Sequence, residues 1–171
     1  MFALLNTFIM LCRLRAAPQD LPYSKFLMML CIACYFLVGL AVSLLDQKFG
    51  LAVISACADT GLMIVLAYLG LWIRDSAART VQTITALTGT GTLFELMGLP
   101  LVSWLQQLKE SEASILPLVL LVLIIWNITV IGNILRHALE VSMWIGTAIA
   151  LLYIYTSIRV MSVLYIAGGT S

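Results

Sequence analysis

Two acidic residues lie within long apolar stretches of this chain, Asp59 inside 51–73 and Glu95 inside 81–105. Ionisable groups within a membrane span are costly to bury when charged, and they are typical of proton relays and ion pathways. The functional hypothesis is therefore a proton- or cation-binding site. The structural alternative is that each acid is protonated, or is hydrogen-bonded to Thr, Ser or Asn127, and fastens the bundle.

The two acids are predicted to lie at similar depth and to face other helices rather than lipid. At the rise of an α-helix, Asp59 is ~12 Å and Glu95 ~15 Å from the same end of the predicted bundle. Small or polar residues share the helix face of each acid, which suits contact between helices. These neighbours are Ala52, Ser55, Ala56, Met63 and Gly70 for Asp59, and Thr88, Gly91, Thr92 and Gly98 for Glu95. We therefore expect both carboxyl groups to point into the bundle, where they can face each other.

A stripe of mostly small residues runs along the last apolar stretch of the chain. It consists of Ser142, Gly146, Ala150, Tyr153 and Ser157. Small residues four apart let two helix backbones approach closely in a membrane. The stripe therefore predicts a helix-packing face, and the sequence leaves open whether an internal helix or a second protein packs there.

Other motifs do not assemble into a catalytic or metal-binding set. Cys31 and Cys34 have the Cys-x-x-Cys spacing, but they lie inside an apolar stretch without a second ligand pair. The Thr/Gly-rich run 88–92, followed by Gly98 and Pro100, fits two structures: a broken helix that lines a transport site, or a kinked helix whose threonines bond to their own backbone. Because no nucleophile and base lie at matching depth, we expect no enzyme, no catalytic residues, no cofactor and no metal.

The elements that position these residues follow from composition. Hydrophobic residues make up 63% of the 171 residues and charged residues 10%, which is too little charge for a soluble domain. A spanning helix needs roughly 20 apolar residues, and five stretches qualify: 24–45, 51–73, 81–105, 115–135 and 141–166. Residues 1–15 are too short to cross and predict an interfacial helix. The fold prediction is an all-α, polytopic membrane helical bundle in which 1–171 form a single domain with five transmembrane helices and the short N-terminal helix.

Basic residues are distributed unevenly between the two predicted sides of the membrane. One side carries Arg13, Arg15, Lys25, Arg74, Arg79 and Arg136, and the other carries Lys48, Lys109 and Arg159. The positive-inside rule then places the N-terminus in the cytoplasm and the C-terminus in the periplasm. The formal net charge of +1 gives no indication of a nucleic-acid partner.

Several short motifs carry a resemblance to known proteins. The Arg-rich start, Pro-Gln-Asp-Leu-Pro at 18–22, Trp126-Asn127 and Leu-Arg-His-Ala-Leu at 135–139 resemble small uncharacterised inner-membrane proteins of proteobacteria. This resemblance implies a location in the bacterial inner membrane. In architecture alone, five short-looped spans resemble the Yip (Ypt-interacting protein) family. The Asp-Leu-Tyr-Gly-Pro type motif of that family is absent, so no residue role is carried over.

The expected function is that of a small multi-pass inner-membrane protein that acts as a subunit, scaffold or accessory factor through helix contacts. Its expected partners are the lipid bilayer and other membrane subunits or a second copy of the chain. The competing hypothesis is a small transporter or channel component that uses Asp59 and Glu95, with Asn127 as a further polar group, to bind a proton or cation.

Overall fold

Long apolar runs form long helices in the computed structural model of this protein, which describes residues 2–107 and 115–169. The described helices are α1 Phe2–Cys12, α2 Lys25–Ser43, α3 Phe49–Ile73, α4 Thr80–Gln107, α5 Leu116–Leu139 and α6 Met143–Gly169. The all-α prediction is confirmed. Lys109, which entered the count of basic residues, lies outside the described residues.

Local signals explain where the helices begin and end. The Ser24 side chain accepts a hydrogen bond from the Leu27 backbone N–H, which caps the start of α2. Glu140 adopts a left-handed conformation with φ 53° and ends α5. The short connection that follows lets α6 fold back against α5, so the two helices form an antiparallel pair.

Among the helices that the structure describes, four are long and apolar enough to cross a membrane: α2, α3, α5 and α6. The prediction of five apolar spans is therefore corrected to four. The helix predicted over 81–105 does form, as the 28-residue α4. Its many threonines and glycines make it less apolar than the other long helices, so α4 does not qualify by composition.

The position of α4 explains why it tolerates this polar composition. It lies at the centre of the bundle, where most of its threonines are buried and do not face lipid. The buried hydroxyls of Thr85, Thr88 and Thr90 each donate to the carbonyl four residues earlier. The helix continues through Pro100 without a break. The broken-helix alternative is therefore wrong, and the threonines bond back to their own backbone.

The five long helices run the length of the bundle in alternating directions. Gln82, near the start of α4, donates to the Leu21 carbonyl just before α2 at 2.6 Å. Farther from the start of both helices, the Glu95 carboxyl of α4 lies beside Gly39 of α2. Helices α2 and α4 are thus parallel, and α4 carries the chain from one end of the bundle to the other as α2 does.

One end of the bundle collects basic side chains, and we call it the basic end. It contains Lys25, Arg74, Arg79 and Arg136. Arg74 Nε donates to the Leu139 carbonyl at 3.1 Å, and Arg79 pairs with Glu140 at 2.6 Å. These contacts join the end of α3 and the start of α4 to the end of α5, so basic residues that are distant in sequence share one end of the molecule.

The N-terminal helix packs on the bundle and does not stand apart from it. The Phe8 ring lies against Gly89 of α4, so closely that a Cβ at this glycine would collide with the ring. Leu11 is fully buried. Trp126 Nε1 of α5 donates to the Cys12 carbonyl at 2.8 Å. Helix α1 therefore lies across α4 and reaches α5.

Candidate functional site

Asp59 of α3 is the centre of a hydrogen-bonded cluster to which three helices contribute. Its Oδ2 accepts from the Tyr35 hydroxyl of α2 at 2.5 Å. Its Oδ1 accepts from Ser157 Oγ at 2.6 Å and from the Tyr153 hydroxyl at 3.0 Å, both on α6. An ionised carboxylate accepts hydrogen bonds and donates none, so three hydroxyl donors form a suitable environment for a charged Asp59.

The helices hold these hydroxyl groups by packing. Tyr153 and Ser157 lie four residues apart and therefore share one face of α6. Tyr35 and Tyr153 are both 5% exposed, and their hydroxyl oxygens lie 3.3 Å apart. Gly91 of α4 makes room for the Tyr35 ring, because a Cβ there would lie 2.7 Å from the ring carbon Cε2. The cluster is thus built into the core rather than placed on a mobile surface.

A cavity of about 110 Å³ lies beside this cluster, and both predicted acids line it. Gly39 of α2 gives the Glu95 carboxyl its space, since a Cβ on this glycine would lie 3.3 Å from Glu95 Oε1. Glu95 Oε2 is buried and has no hydrogen-bond partner within the described part of the chain. The bundle therefore brings two carboxyl groups from different helices to the lining of one cavity.

The two acids differ in how their oxygens are satisfied. Asp59 accepts from three hydroxyls, whereas Glu95 holds a buried oxygen without a partner. Burial of an unpaired polar atom is costly, and the cost rises for a charged group. A proton on Glu95, or a cation between the acids, would remove that cost. The cavity is larger than the ~30 Å³ that one water molecule occupies in the liquid, so a small cation fits.

Polar groups continue from the cavity toward the end of the bundle opposite the basic end. Ser55, which lines the cavity, donates to Gln47 Oε1 in the α2–α3 connection at 2.9 Å. In the other direction along α3, the inward residues Met63, Ala67 and Leu71 are apolar and buried. The cavity is therefore separated from the basic end by packed apolar side chains and lies closer to the opposite end.

The structure brings together two of the three polar residues that the sequence singled out. Asp59 and Glu95 line the cavity, and Asn127 of α5 is not among its described lining residues. Whether the acids bind an ion stays a prediction. Sequence reasoning missed Tyr35, which donates the shortest hydrogen bond to Asp59. A tyrosine in the middle of an apolar span is the signal that could have identified it, because its hydroxyl needs a partner there.

The stripe of small residues on α6 serves contacts inside the bundle. Gly146 packs directly on the Gly132 carbonyl of α5, where a Cβ would collide with the oxygen. Ala150 is fully buried, and Tyr153 and Ser157 bind Asp59. Ser142, just before α6, is exposed. The internal-neighbour alternative thus accounts for the stripe from Gly146 onward.

The described residues contain no group of three or more His, Cys, Asp or Glu side chains that could hold a metal ion. Cys31 and Cys34 are free thiols, one buried and one exposed. In α1, burial raises the pKa of the Cys12 thiol to about 11, so this thiol is protonated at neutral pH and a poor nucleophile.

No family model, curated protein or solved structure matches this chain. The resemblance to proteobacterial inner-membrane proteins therefore identifies no family. Within the described residues, the chain is a small multi-helical protein with four apolar helices of membrane-spanning length.

Proposed function

We propose that this protein is a small multi-pass membrane protein that binds a proton or a small monovalent cation between Asp59 and Glu95, as a transporter or channel component. One observation carries the proposal. Two carboxyl groups on different helices line one cavity of about 110 Å³, and Glu95 presents a buried oxygen that lacks a protein partner.

Electrostatics explains why the ligand is a positive charge. Two carboxylates that share a low-dielectric space repel each other, so they are not both charged unless a cation lies between them. The three hydroxyl donors stabilise negative charge on Asp59 and leave Glu95 as the group that accepts the proton or contacts the cation. The site therefore exchanges positive charge without an enzyme-like nucleophile, and it needs no cofactor.

The proposed orientation places the basic end in the cytoplasm and the protein in the bacterial inner (plasma) membrane. The positive-inside rule supports this orientation, because Lys25, Arg74, Arg79 and Arg136 lie at that end. The N-terminus is then cytoplasmic. Helix α6 begins at the basic end and runs away from it, so the C-terminus is periplasmic. In this orientation the cavity lies closer to the periplasmic side than to the cytoplasmic side.

Ion flux in proteoliposomes tests the transport function. Asp59→Asn and Glu95→Gln retain shape and polarity but remove the titratable group. We expect both variants to fold and to lose proton- or cation-dependent flux. Asp46→Asn is the matched control, because Asp46 is an exposed acid in the α2–α3 connection. Unchanged flux in both folded cavity variants would contradict the proposal.

A second candidate is the non-enzymatic subunit, scaffold or accessory role, for which α2 offers an exposed apolar face. Phe26, Met29 and Leu37 are between 60% and 78% exposed on this helix. Such a surface contacts lipid or a partner helix. Purification in mild detergent tests this role: a stoichiometric membrane partner that is lost on Met29→Ser supports it. If the partner is retained on Met29→Ser but lost on Asp59→Asn, the partner contacts the cavity and not the exposed face of α2.

A further inference from the structure

The polar part of the cavity beside Asp59 consists of oxygen atoms. Of the ten described residues that line it, six carry a side-chain oxygen and none carries a side-chain nitrogen. The six, which come from α2, α3 and α4, are Tyr35, Ser43, Ser55, Asp59, Thr60 and Glu95. Carboxylate and other oxygen ligands are those that hard metal cations prefer. The lining therefore offers the ligand set of a hard cation.

Two hydroxyl groups of this lining already donate their hydrogens elsewhere. Tyr35 donates to Asp59, and Ser55 donates to Gln47 Oε1, which is not among the described lining residues. A hydroxyl group has one hydrogen to donate and two lone pairs that accept. The lone pairs of Tyr35 and Ser55 therefore remain for a positively charged ligand in the cavity. Ser55 is 1% exposed, so bulk solvent does not supply that ligand.

The size of the cavity favours a metal cation over a proton. Its volume of about 110 Å³ is several times the ~30 Å³ that one water molecule occupies in the liquid. A proton shared by two carboxyl groups needs only a hydrogen-bond distance between their oxygens, and no cavity. A metal cation needs room for itself and for several oxygen ligands around it. The space between the helices therefore suits a coordinated cation.

The charge of the site favours a monovalent cation. The described residues contain no group of three or more Asp, Glu, His or Cys that could hold a metal ion. Three hydroxyls already donate to Asp59, whereas Glu95 Oε2 is the buried carboxyl oxygen without a partner among the described residues. A strong negative field favours the smaller of two monovalent cations, because the Coulomb energy rises as the charges approach. Na⁺ is therefore favoured over K⁺.

We propose that the cavity takes Na⁺, an assignment that rests on the proposed function, with Glu95 and the Ser55 hydroxyl oxygen as ligands. Asp59, held by its three hydroxyl donors, supplies a fixed negative charge beside the ion. Glu95 Oε2 gains in Na⁺ the partner that it lacks. Ser55 contributes a neutral oxygen from the side of the cavity toward Gln47.

Equilibrium dialysis against radioactive Na⁺, with choline as the background cation, measures binding to the purified protein in detergent. We expect one saturable site, from which unlabelled Na⁺ displaces the label more effectively than K⁺ does. Glu95→Gln should abolish saturable binding. Ser55→Ala should weaken it on the order of tenfold, which corresponds to the loss of one interaction with a charged group. Ser76→Ala is the matched control, because the Ser76 hydroxyl donates to the Arg74 carbonyl at the basic end.

The competition measurement in the parent protein does not depend on whether any variant folds. Absence of a saturable Na⁺ site in the parent would overturn the proposal. Displacement of the label by K⁺ or Ca²⁺ at least as effectively as by Na⁺ would also overturn it. An unchanged Na⁺ affinity in folded Ser55→Ala would remove Ser55 from the ligand set.

Fluorescent indicators for Na⁺ and for protons inside proteoliposomes separate this assignment from the proposed function. Equal K⁺ on both sides with valinomycin holds the membrane potential near zero. Na⁺ entry in the parent that is lost in Glu95→Gln supports both. Proton entry without Na⁺ entry or Na⁺ binding overturns the assignment of Na⁺ and leaves the proposed function standing. Saturable Na⁺ binding without flux of either ion supports the Na⁺ site and contradicts the transport function, and neither binding nor flux overturns both.

Discussion

Tyr35 is the residue on which the chemistry of the acid site depends most directly, through its hydroxyl group. It donates to Asp59 at 2.5 Å from a position that is almost fully buried. Its oxygen also lies 3.3 Å from the Tyr153 hydroxyl, and the two phenols donate to different oxygens of the same carboxylate. Loss of either phenol would leave Asp59 with a weaker set of donors, and buried hydrogen-bond networks are sensitive to such losses.

At the residue scale we predict that Tyr35→Phe destabilises the folded protein by about 1.5–3 kcal/mol, the usual range for a hydrogen bond to a charged group. Unfolding in detergent, monitored by circular dichroism, measures the change. Tyr68→Phe is the control, because Tyr68 of α3 is 54% exposed. In an Asp59→Asn background the effect of Tyr35→Phe should shrink, because the charged acceptor is already absent. An equal loss in both backgrounds would show that the hydrogen bond is not responsible.

The element that departs most from its sequence-based expectation is α4. The stretch 81–105 is predicted as the weakest of five spans because it is rich in threonine and glycine, whereas the structure places it at the centre with its threonines buried. Helices α1, α2 and α5 surround it, so lipid does not determine its composition. This explains why polar residues and Glu95 are tolerated there, and why α4 is the least apolar of the long helices that the structure describes.

At the element scale we predict that Gly146→Ala destabilises the α5–α6 pair by about 1–3 kcal/mol, as overpacking does. A Cβ at this position would collide with the Gly132 carbonyl oxygen, which belongs to the backbone and cannot rotate away. Gly146→Leu should be worse, and Ile149→Leu should be tolerated.

Gly61→Ala is the matched control for this prediction. Gly61 also lies inside a long helix, but a Cβ there would meet nothing within 4 Å. The substitution should be neutral, or stabilising by up to about 1 kcal/mol from helix propensity. Equal thermal stability of Gly146→Ala and Gly61→Ala in detergent would mean that the helix contact is not tight.

At the scale of the whole molecule, the chain crosses the bundle five times although only four of its described long helices are apolar enough to span a membrane. The fifth crossing is α4, which its neighbours shield from lipid. The chain returns across the bundle through α4, parallel to α2. The start of α2 and the end of α6 therefore lie at opposite ends. An orientation based on counting apolar spans alone would place them at the same end.

Labelling of single cysteines in a cysteine-free background tests this topology. We predict that Gln47→Cys and Gln107→Cys react with a membrane-impermeant reagent from the periplasmic side, and that Ser76→Cys and Ser142→Cys react only after the membrane is opened. The reason is that the connections near Ser76 and Ser142 lie at the basic end. Labelling of Ser76→Cys and Gln107→Cys from the same side would show that α4 does not cross.

The sequence by itself determined the helices of this protein. The stretches predicted at 24–45, 51–73, 115–135 and 141–166 correspond to α2, α3, α5 and α6 with small shifts at their ends. Apolar length and intrahelical hydrogen bonds are local properties, so they can be predicted without knowing the neighbours. The inward direction of Asp59 and Glu95 also followed from the small residues on their helix faces.

The tertiary structure alone decided what these helices place together. The partners of Asp59 lie 24, 94 and 98 positions away in the sequence, on two other helices. Their contact depends on how each helix is rotated and how deeply it packs, which no local pattern specifies. The same holds for α1, whose last turn lines an apolar groove together with Met97 of α4 and Trp126 of α5. Helix formation is a local property of this chain, whereas its candidate sites are products of packing between distant segments.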